Sequence, residues 1–201
     1  GNHTNRLKGS DKEKLVFEDV LAHQSGLQAW IPFYASTIEN DSIKAYWYSA
    51  VPKEGYNVVV PGMYLRSNIR DTMFAMLAKS PLKGTDYRYS DLGYYLFQEM
   101  LEERFNEPLD KWAANTFYAP LGAHRLTYNP LENGFSRGEI TPTEIDGYWR
   151  NRTVHGTVHD MGAAMMNGVA GHAGLFSNAN DLAKMMQMYL NGGYYGGYRY
   201  F

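Results

Sequence analysis

Tyr89, Ser90 and Asp91 put a phenol, a hydroxyl and a carboxylate on consecutive residues, directly before a run of helical spacing. Groups of these types carry protons and covalent bonds in catalysis when a fold holds them in place. Two other polar turns stand out: His23-Gln24-Ser25-Gly26-Leu27 upstream and Gly171-His172-Ala173-Gly174-Leu175-Phe176-Ser177 downstream. A nucleophile is harder to find. Ser25 has no Gly two residues before it and no strand leading in, so a nucleophile elbow is unsupported. Ser80-Pro81-Leu82-Lys83 is the only Ser-x-x-Lys, and Gly84, Thr85 and Asp86 follow at once. Without a helix that spacing cannot bring Ser and Lys together, so the match reads as a decoy. The chain has no Cys, which excludes thiolate nucleophiles, disulfides and Cys-based metal sites.

Other chemistry is weaker still. His155 and His159 are four apart, as in zinc helices, but Gly156-Thr157-Val158 is poor helix material and a further ligand such as Asp160 would be needed. No metal site is expected; His159-Asp160 and His172 are read as holding loop backbones at the rim of a site. Asp91, Glu99, Glu102 and Glu103 lie on one helical segment and read as a solvated face rather than a glycosidase pair across a cleft. No Gly-rich phosphate loop follows a strand, so nucleotide binding has no support. The methionines read as packing residues, and no cofactor is expected.

The elements that must position these residues are mostly helical. Asn2–Lys14 reads as a polar loop. A short helix is expected over Phe17–Leu27, closed near Gly26. Residues 28–68 form a long aromatic-rich excursion, with one helical turn near Ser42–Tyr48 and an extended piece at Tyr56–Val60. Trp30, Trp47 and Trp149 in loops either stack on sugar rings or pack the loops down, and the second reading fits better. Ile69–Ala78 is predicted helical and stopped by Ser80-Pro81. Ser90 reads as the N-cap of Asp91–Phe105, with Leu92, Tyr95, Leu96 and Met100 as its buried stripe. Pro108 fits the first position of the next helix, Asp160–Met166 a short one. Ser177 is expected to cap the last, whose Leu182, Met185, Met186, Tyr189 and Leu190 face inward. Tyr194–Phe201 reads as a turn entering an unfinished strand, and almost nothing here suggests a multi-stranded sheet.

Composition is that of a globular chain: 201 residues, 44% hydrophobic, 20% charged, formal net charge −2. No basic run supports nucleic acid, and no apolar stretch is long enough to span a bilayer. The chain carries no recognisable signal segment. Its 17 Tyr are unusual, and are read as a Tyr-rich core margin rather than a partner-binding surface.

Taken in order, Lys14–Leu27, Tyr87–Leu101 and Val158–Gly193 resemble segments of the serine β-lactamase-like hydrolases: class C β-lactamases, D-Ala-D-Ala carboxypeptidases and esterases. The tone of Tyr87–Tyr94 is closest to domains fused behind family 3 glycoside hydrolases of the β-N-acetylglucosaminidase type. The resemblance implies a single truncated domain over 1–201, the mainly α, helical subdomain of an α+β β-lactamase/transpeptidase-like fold with most of its sheet absent. It implies an acyl-serine mechanism on amide, lactam or ester bonds, with a small-molecule or cell-wall peptide as substrate in a periplasmic or extracellular parent. In that family a Ser-x-x-Lys supplies acyl acceptor and proton relay, and a late strand completes an oxyanion hole. By resemblance Tyr89 takes the proton-transfer role and Asp91 the place usually held by Asn, with Ser90, His159 and His172 at the rim. Serine, lysine and oxyanion strand are expected in missing N- and C-terminal parts, so this piece is expected to be inactive alone and to self-associate through exposed faces. The alternative is a non-catalytic carbohydrate- or partner-binding module attached to a glycosidase.

Overall fold

The computed structural model describes residues 6–201. Residues 2–5 of the expected polar loop lie outside that range; further on, Asp11–Lys14 forms a 3-10 turn capped by Ser10. Helix α1, Phe17–Leu21, is shorter than its apolar pattern suggests. It ends at Ala22, and His23 turns the chain with a left-handed φ of 57°. Gly26 does not close the helix. It sits in the following turn at φ 78°, where a Cβ would come within 2.9 Å of the Gly84 carbonyl oxygen. Glycine there lets the Lys83 N–H donate to the Gly26 carbonyl at 2.7 Å.

The excursion is strand-rich, which corrects two expectations. A 3-10 turn, Phe33–Thr37, leads into the hairpin of β1 (Ile38–Glu39) and β2 (Ser42–Ile43). The hairpin turn is Asn40-Asp41, both at positive φ, as a two-residue primed turn requires. Ser42–Tyr48 therefore begins as strand, and its one turn is the tight one closed by the Trp47 N–H donating to the Lys44 carbonyl at 2.9 Å. Strands β3 (Tyr48–Ser49), β4 (Tyr56–Val60) and β5 (Met63–Arg66) form an antiparallel sheet in the order β3-β5-β4. So a multi-stranded sheet does exist, and Val59, Val60, Met63 and Leu65 bury into the main core from it.

Helix α2, Ile69–Lys79, buries Ile69, Met73, Phe74 and Leu77 on one face. Full burial of such side chains is worth roughly 1.5–3 kcal/mol each. Ser80 ends the helix: its Oγ donates to the Leu77 carbonyl at 2.7 Å, and Lys12 Nζ donates to its carbonyl. Ser80 and Lys83 thus serve the α2 C-terminus and the Gly26 turn.

Helix α3, Leu92–Phe105, starts one residue later than expected, with Asp91 in the cap position. Leu92, Gly93, Tyr95 and Gln98 are its buried residues, while Met100 is exposed. Its acids are not simply solvated. Glu99 and Glu102 accept from Arg70 at 3.2 and 2.8 Å, and Glu99 also accepts from Arg6 at 2.9 Å. These pairs tie α3 to α2.

Helix α4, Leu109–Ala113, has Pro108 as its cap rather than its first residue and runs into a π turn, Ala114–Tyr118. Two small antiparallel pairs follow: β6 (Thr127–Tyr128) with β9 (Leu175–Phe176), and β7 (Glu144–Asp146) with β8 (Arg152–Val154). Between them lies α5, Met161–Met165. Helix α6, Ala179–Leu190, is capped by Asn178, whose Oδ1 accepts from the Asp181 N–H; Ser177 is not the cap. Tyr194–Tyr195 (β10) and Tyr198–Arg199 (β11) close as a hairpin.

The orientation of α6 differs from its apolar pattern. Asp181 and Met188 are buried, whereas Leu182, Met186, Tyr189 and Leu190 are exposed, Leu190 by 81%. Polar anchors decide this. Asp181 Oδ2 accepts from the Arg125 N–H at 2.7 Å, and Lys184 Nζ donates to the Gly122 carbonyl and to Asp181. Met188 then falls into the second core, among Ala113, Tyr118, Leu121, Ala123 and Leu126.

Candidate active site

The segment 88–91 lies against the turn 23–29. Arg88 N–H donates to the His23 carbonyl at 2.8 Å, Ser90 N–H to His23 Nδ1 at 3.1 Å, and Asp91 N–H to the Ala29 carbonyl at 3.0 Å. Ser90 is buried; its Oγ donates to the Gln28 carbonyl at 2.6 Å and accepts from Leu92 N–H at 3.2 Å. That hydroxyl is committed to backbone, so Ser90 shapes the turn rather than supplying a nucleophile. The Tyr89 side chain points the other way. It is 61% exposed, and its ring lies 4.7 Å from the His23 ring.

Two residues on, Asp91 lines a cavity of about 450 Å³. Its walls come from α3 (Leu92, Tyr95), the start of α5 (Asp160, Met161, Gly162), the segment Trp30–Tyr34, and Glu144, Tyr148, His159 and His172. Among these lining residues there are carboxylates and imidazoles but neither Lys nor Arg. At the centre is a coupled pair. Asp160 caps α5 by accepting from Ala163 N–H at 2.7 Å, and the same Oδ1 faces His172 Nε2 at 2.9 Å. The His172 ring stacks on Tyr95, centroids 4.4 Å apart. The His172 side chain is only 3% exposed, and its Nδ1 is buried with no hydrogen-bond partner among the described residues. In the neutral ring, an Nε2 that faces a carboxylate carries the proton, which leaves Nδ1 as an open acceptor.

The electrostatics separate the two aspartates. Burial would push the Asp160 carboxyl up, but hydrogen bonds from His172 and the Ala163 N–H outweigh it and hold Asp160 below the usual range. At Asp91 burial prevails: its carboxyl is pushed up, with Asp160 adding to the shift while His172 and His23 oppose it. The Tyr95 phenol is driven far above its ordinary range by burial, then by the charges of Asp160 and Asp91. It is therefore a neutral wall and no base. Gly162 completes the packing: a Cβ there would stand 1.9 Å from the Tyr95 hydroxyl oxygen. Gly162→Ala is expected to cost about 1–3 kcal/mol by overpacking and to tilt Tyr95 off His172. Urea unfolding and the His172 ring resonances check it.

Behind the cavity, Arg150 and Asp146 form a fully buried ion pair at 2.5 Å. Arg150 also donates to the Val158 carbonyl at 2.8 Å and to the His159 carbonyl. Those bonds fix the backbone that delivers His159 and Asp160.

Of the residues singled out in sequence, Asp91, His159 and His172 meet at one cavity; Ser90 lies beneath the turn and Tyr89 stands exposed outside the lining. His155 goes elsewhere: its Nε2 is 2.9 and 2.7 Å from the Arg137 and Ile140 carbonyls. Among the described residues no three His, Cys, Asp or Glu side chains form a metal-binding group. Sequence reasoning missed Tyr95, Glu144, Tyr148 and the central role of Asp160. Only Asp160 carried a signal, as an Asp opening an Ala-rich helical run.

The Beta-lactamase family model matches residues 2–197. The chain belongs to the β-lactamase family. Proteins of Salmonella newport and Salmonella agona, provisionally named D-alanyl-D-alanine carboxypeptidases, are each 34% identical over 98% of this chain. The chain spans 43% of their length. Among solved structures, the octameric penicillin-binding protein homologue of Pyrococcus abyssi is 16% identical with a TM-score of 0.58, over 92% of this chain and 36% of that one. The β-lactamase/D-alanine carboxypeptidase of Yersinia pestis is 18% identical with a TM-score of 0.51, over 90% of this chain and 43% of that one. At such identities these two show the fold, that of β-lactamase/transpeptidase-like proteins.

Proposed function

We propose that this chain carries the tyrosine side of the active site of an acyl-serine hydrolase that opens amide, lactam or ester bonds, with a cell-wall peptide as substrate outside the cytoplasm. One observation carries the reading: Tyr89 holds an exposed phenol at the start of α3, two residues from an Asp91 that lines the cavity. In this reading Tyr89 exchanges the proton of the reacting hydroxyl and the leaving group, and Asp91 orients a lysine and the substrate amide. His159 stands at the rim, while His172 is held inside against Asp160 and Tyr95. The acyl-accepting serine and its lysine then lie in the further length that the relatives possess, because the Ser80 hydroxyl donates to the Leu77 carbonyl and no helix runs from Ser80 to Lys83 to bring the two side chains together. The test uses the protein at that length, incubated with a reactive β-lactam or a p-nitrophenyl ester. Mass spectrometry is expected to find one covalent adduct on a serine; no adduct and no turnover would overturn the proposal.

A second reading has its own observation. Trp30 and Tyr148 are exposed where they line the cavity, as aromatic platforms for sugar rings would be. Calorimetry with muropeptides and chitooligosaccharides separates the two. Saccharide binding without an adduct would favour a carbohydrate-binding module.

A further inference from the structure

We infer that His23 is a positioning residue for the Tyr89 phenol, gripping the chain on both sides of Tyr89 with its carbonyl and its imidazole. The functional consequence rests on the role proposed for Tyr89, whereas the grip itself is geometric. The His23 carbonyl takes the Arg88 N–H, and its Nδ1 takes the Ser90 N–H. Tyr89 is the residue between, and its ring lies against the same imidazole. Tyr94 at 5.9 Å and Tyr87 at 6.0 Å hold that imidazole from two other sides.

Several facts make the arrangement specific. His23 has a φ of 57°, a conformation uncommon outside glycine that His, Asn and Asp adopt more readily than other side chains. Ser90 is buried, and its own hydroxyl is engaged with Gln28 and Leu92, so its N–H has Nδ1 as its acceptor. A buried N–H left unmade is costly. An accepting Nδ1 must be without its proton, which places the proton of the neutral ring on Nε2. Protonating the imidazole turns that acceptor into a donor aimed at another donor. The Ser90 N–H then loses its partner, and the ring that supports Tyr89 must turn. The titratable groups facing His23 are the phenols of Tyr87, Tyr89 and Tyr94, with the Asp91 carboxylate as the nearby charge. The grip thus requires the neutral ring with its proton on Nε2.

The experiment uses the 201-residue chain itself, labelled with ¹⁵N, and compares the exchange protection of the Ser90 amide and the Tyr89 ring resonances in wild type and two variants under one set of conditions. His23→Ala removes the imidazole acceptor and is expected to lose about tenfold or more of the Ser90 protection, with the Tyr89 resonances shifted. His23→Asn offers an Oδ1 where Nδ1 stood and tolerates the left-handed backbone, so it should keep the protection. If His23→Ala fails to fold, the ¹⁵N shifts of the His23 ring in wild type decide, because an Nδ1 that accepts from Ser90 carries no proton. Unchanged Ser90 protection in His23→Ala, or an Nδ1 that carries the proton of the neutral ring, would overturn the inference. None of these readouts depends on turnover, so a failed assignment of Tyr89 in catalysis remains distinguishable from a failed grip.

Discussion

Tyr89→Phe is expected to lower kcat by about 10²–10⁴-fold on an ester or peptide substrate in the protein at the length of its relatives, the range typical for a lost general acid–base group. The argument for so large an effect is that the substitution removes little else. The Phe ring keeps the edge of contact with His23, and at 61% exposure the lost hydroxyl leaves no buried donor or acceptor unmatched. Stability should therefore stay within about 0.5 kcal/mol of wild type, as for ordinary surface substitutions. Steady-state kinetics beside urea unfolding check both halves. If Tyr89 merely packed the turn, turnover would be retained. If it merely contacted substrate, KM would rise while kcat held. A fall in kcat with the fold unmoved is what the proton-transfer role requires.

The period of three to four residues was enough to find α2 and α3, because each packs an apolar stripe against a core, and also α6, whose stripe is mostly exposed. It failed on how α6 is rotated. There the deciding groups are Asp181 and Lys184, whose partners at Arg125 and Gly122 lie about sixty positions away and leave no trace in local spacing. Of the sheet β3-β5-β4, only β4 was expected, as the extended piece at Tyr56–Val60. Strands β3 and β5 are two and four residues long, too short for alternation to rise above noise. The Tyr-rich composition also gained its meaning only in three dimensions: the Tyr48 hydroxyl joins Thr37 Oγ1 and the Trp149 indole N–H, each at 2.6 Å, linking sheet, 3-10 turn and loop. In the site, the polar turns carrying His23, Tyr89 and His172 were visible as motifs. Their pairing was not, since His172 finds Asp160 and His23 finds Ser90 through tertiary packing. Asp160 advertised only its cap.

Asp146→Asn is expected to destabilise the chain by about 3 kcal/mol, the lower end for a broken buried pair, because it removes the nearer of the two carboxylates paired with a guanidinium that has no exposed surface and leaves only Glu144, at 3.7 Å. The replacement keeps the volume and one oxygen, so the loss reports the charge and the donors left facing an NH2 group rather than a cavity. The pH dependence has a defined sign. Burial raises the Asp146 carboxyl, but hydrogen bonds from Arg150 and from the N–H groups of Trp149, Tyr148 and Arg150 more than reverse it, and its folded value lies below the ordinary one. A carboxyl depressed on folding stabilises the native state above its unfolded value, near 3.9. That contribution falls away as pH drops through the folded value. Wild type should accordingly lose stability below about pH 4 more steeply than Asp146→Asn, whose residue 146 no longer titrates. Urea unfolding of both proteins at pH 7, 5 and 3 reads this as a gap that narrows in acid. A constant gap, or one under about 1 kcal/mol at pH 7, would refute the account. The same substitution should reach the cavity. Arg150 freed from Asp146 can swing from the Val158 and His159 carbonyls, and the backbone that presents Asp160 to His172 then loses its brace. The His172 ring resonances should move in the variant even at pH 7, where most of the chain is still folded, so that a pair buried behind the site sets how firmly the site is held.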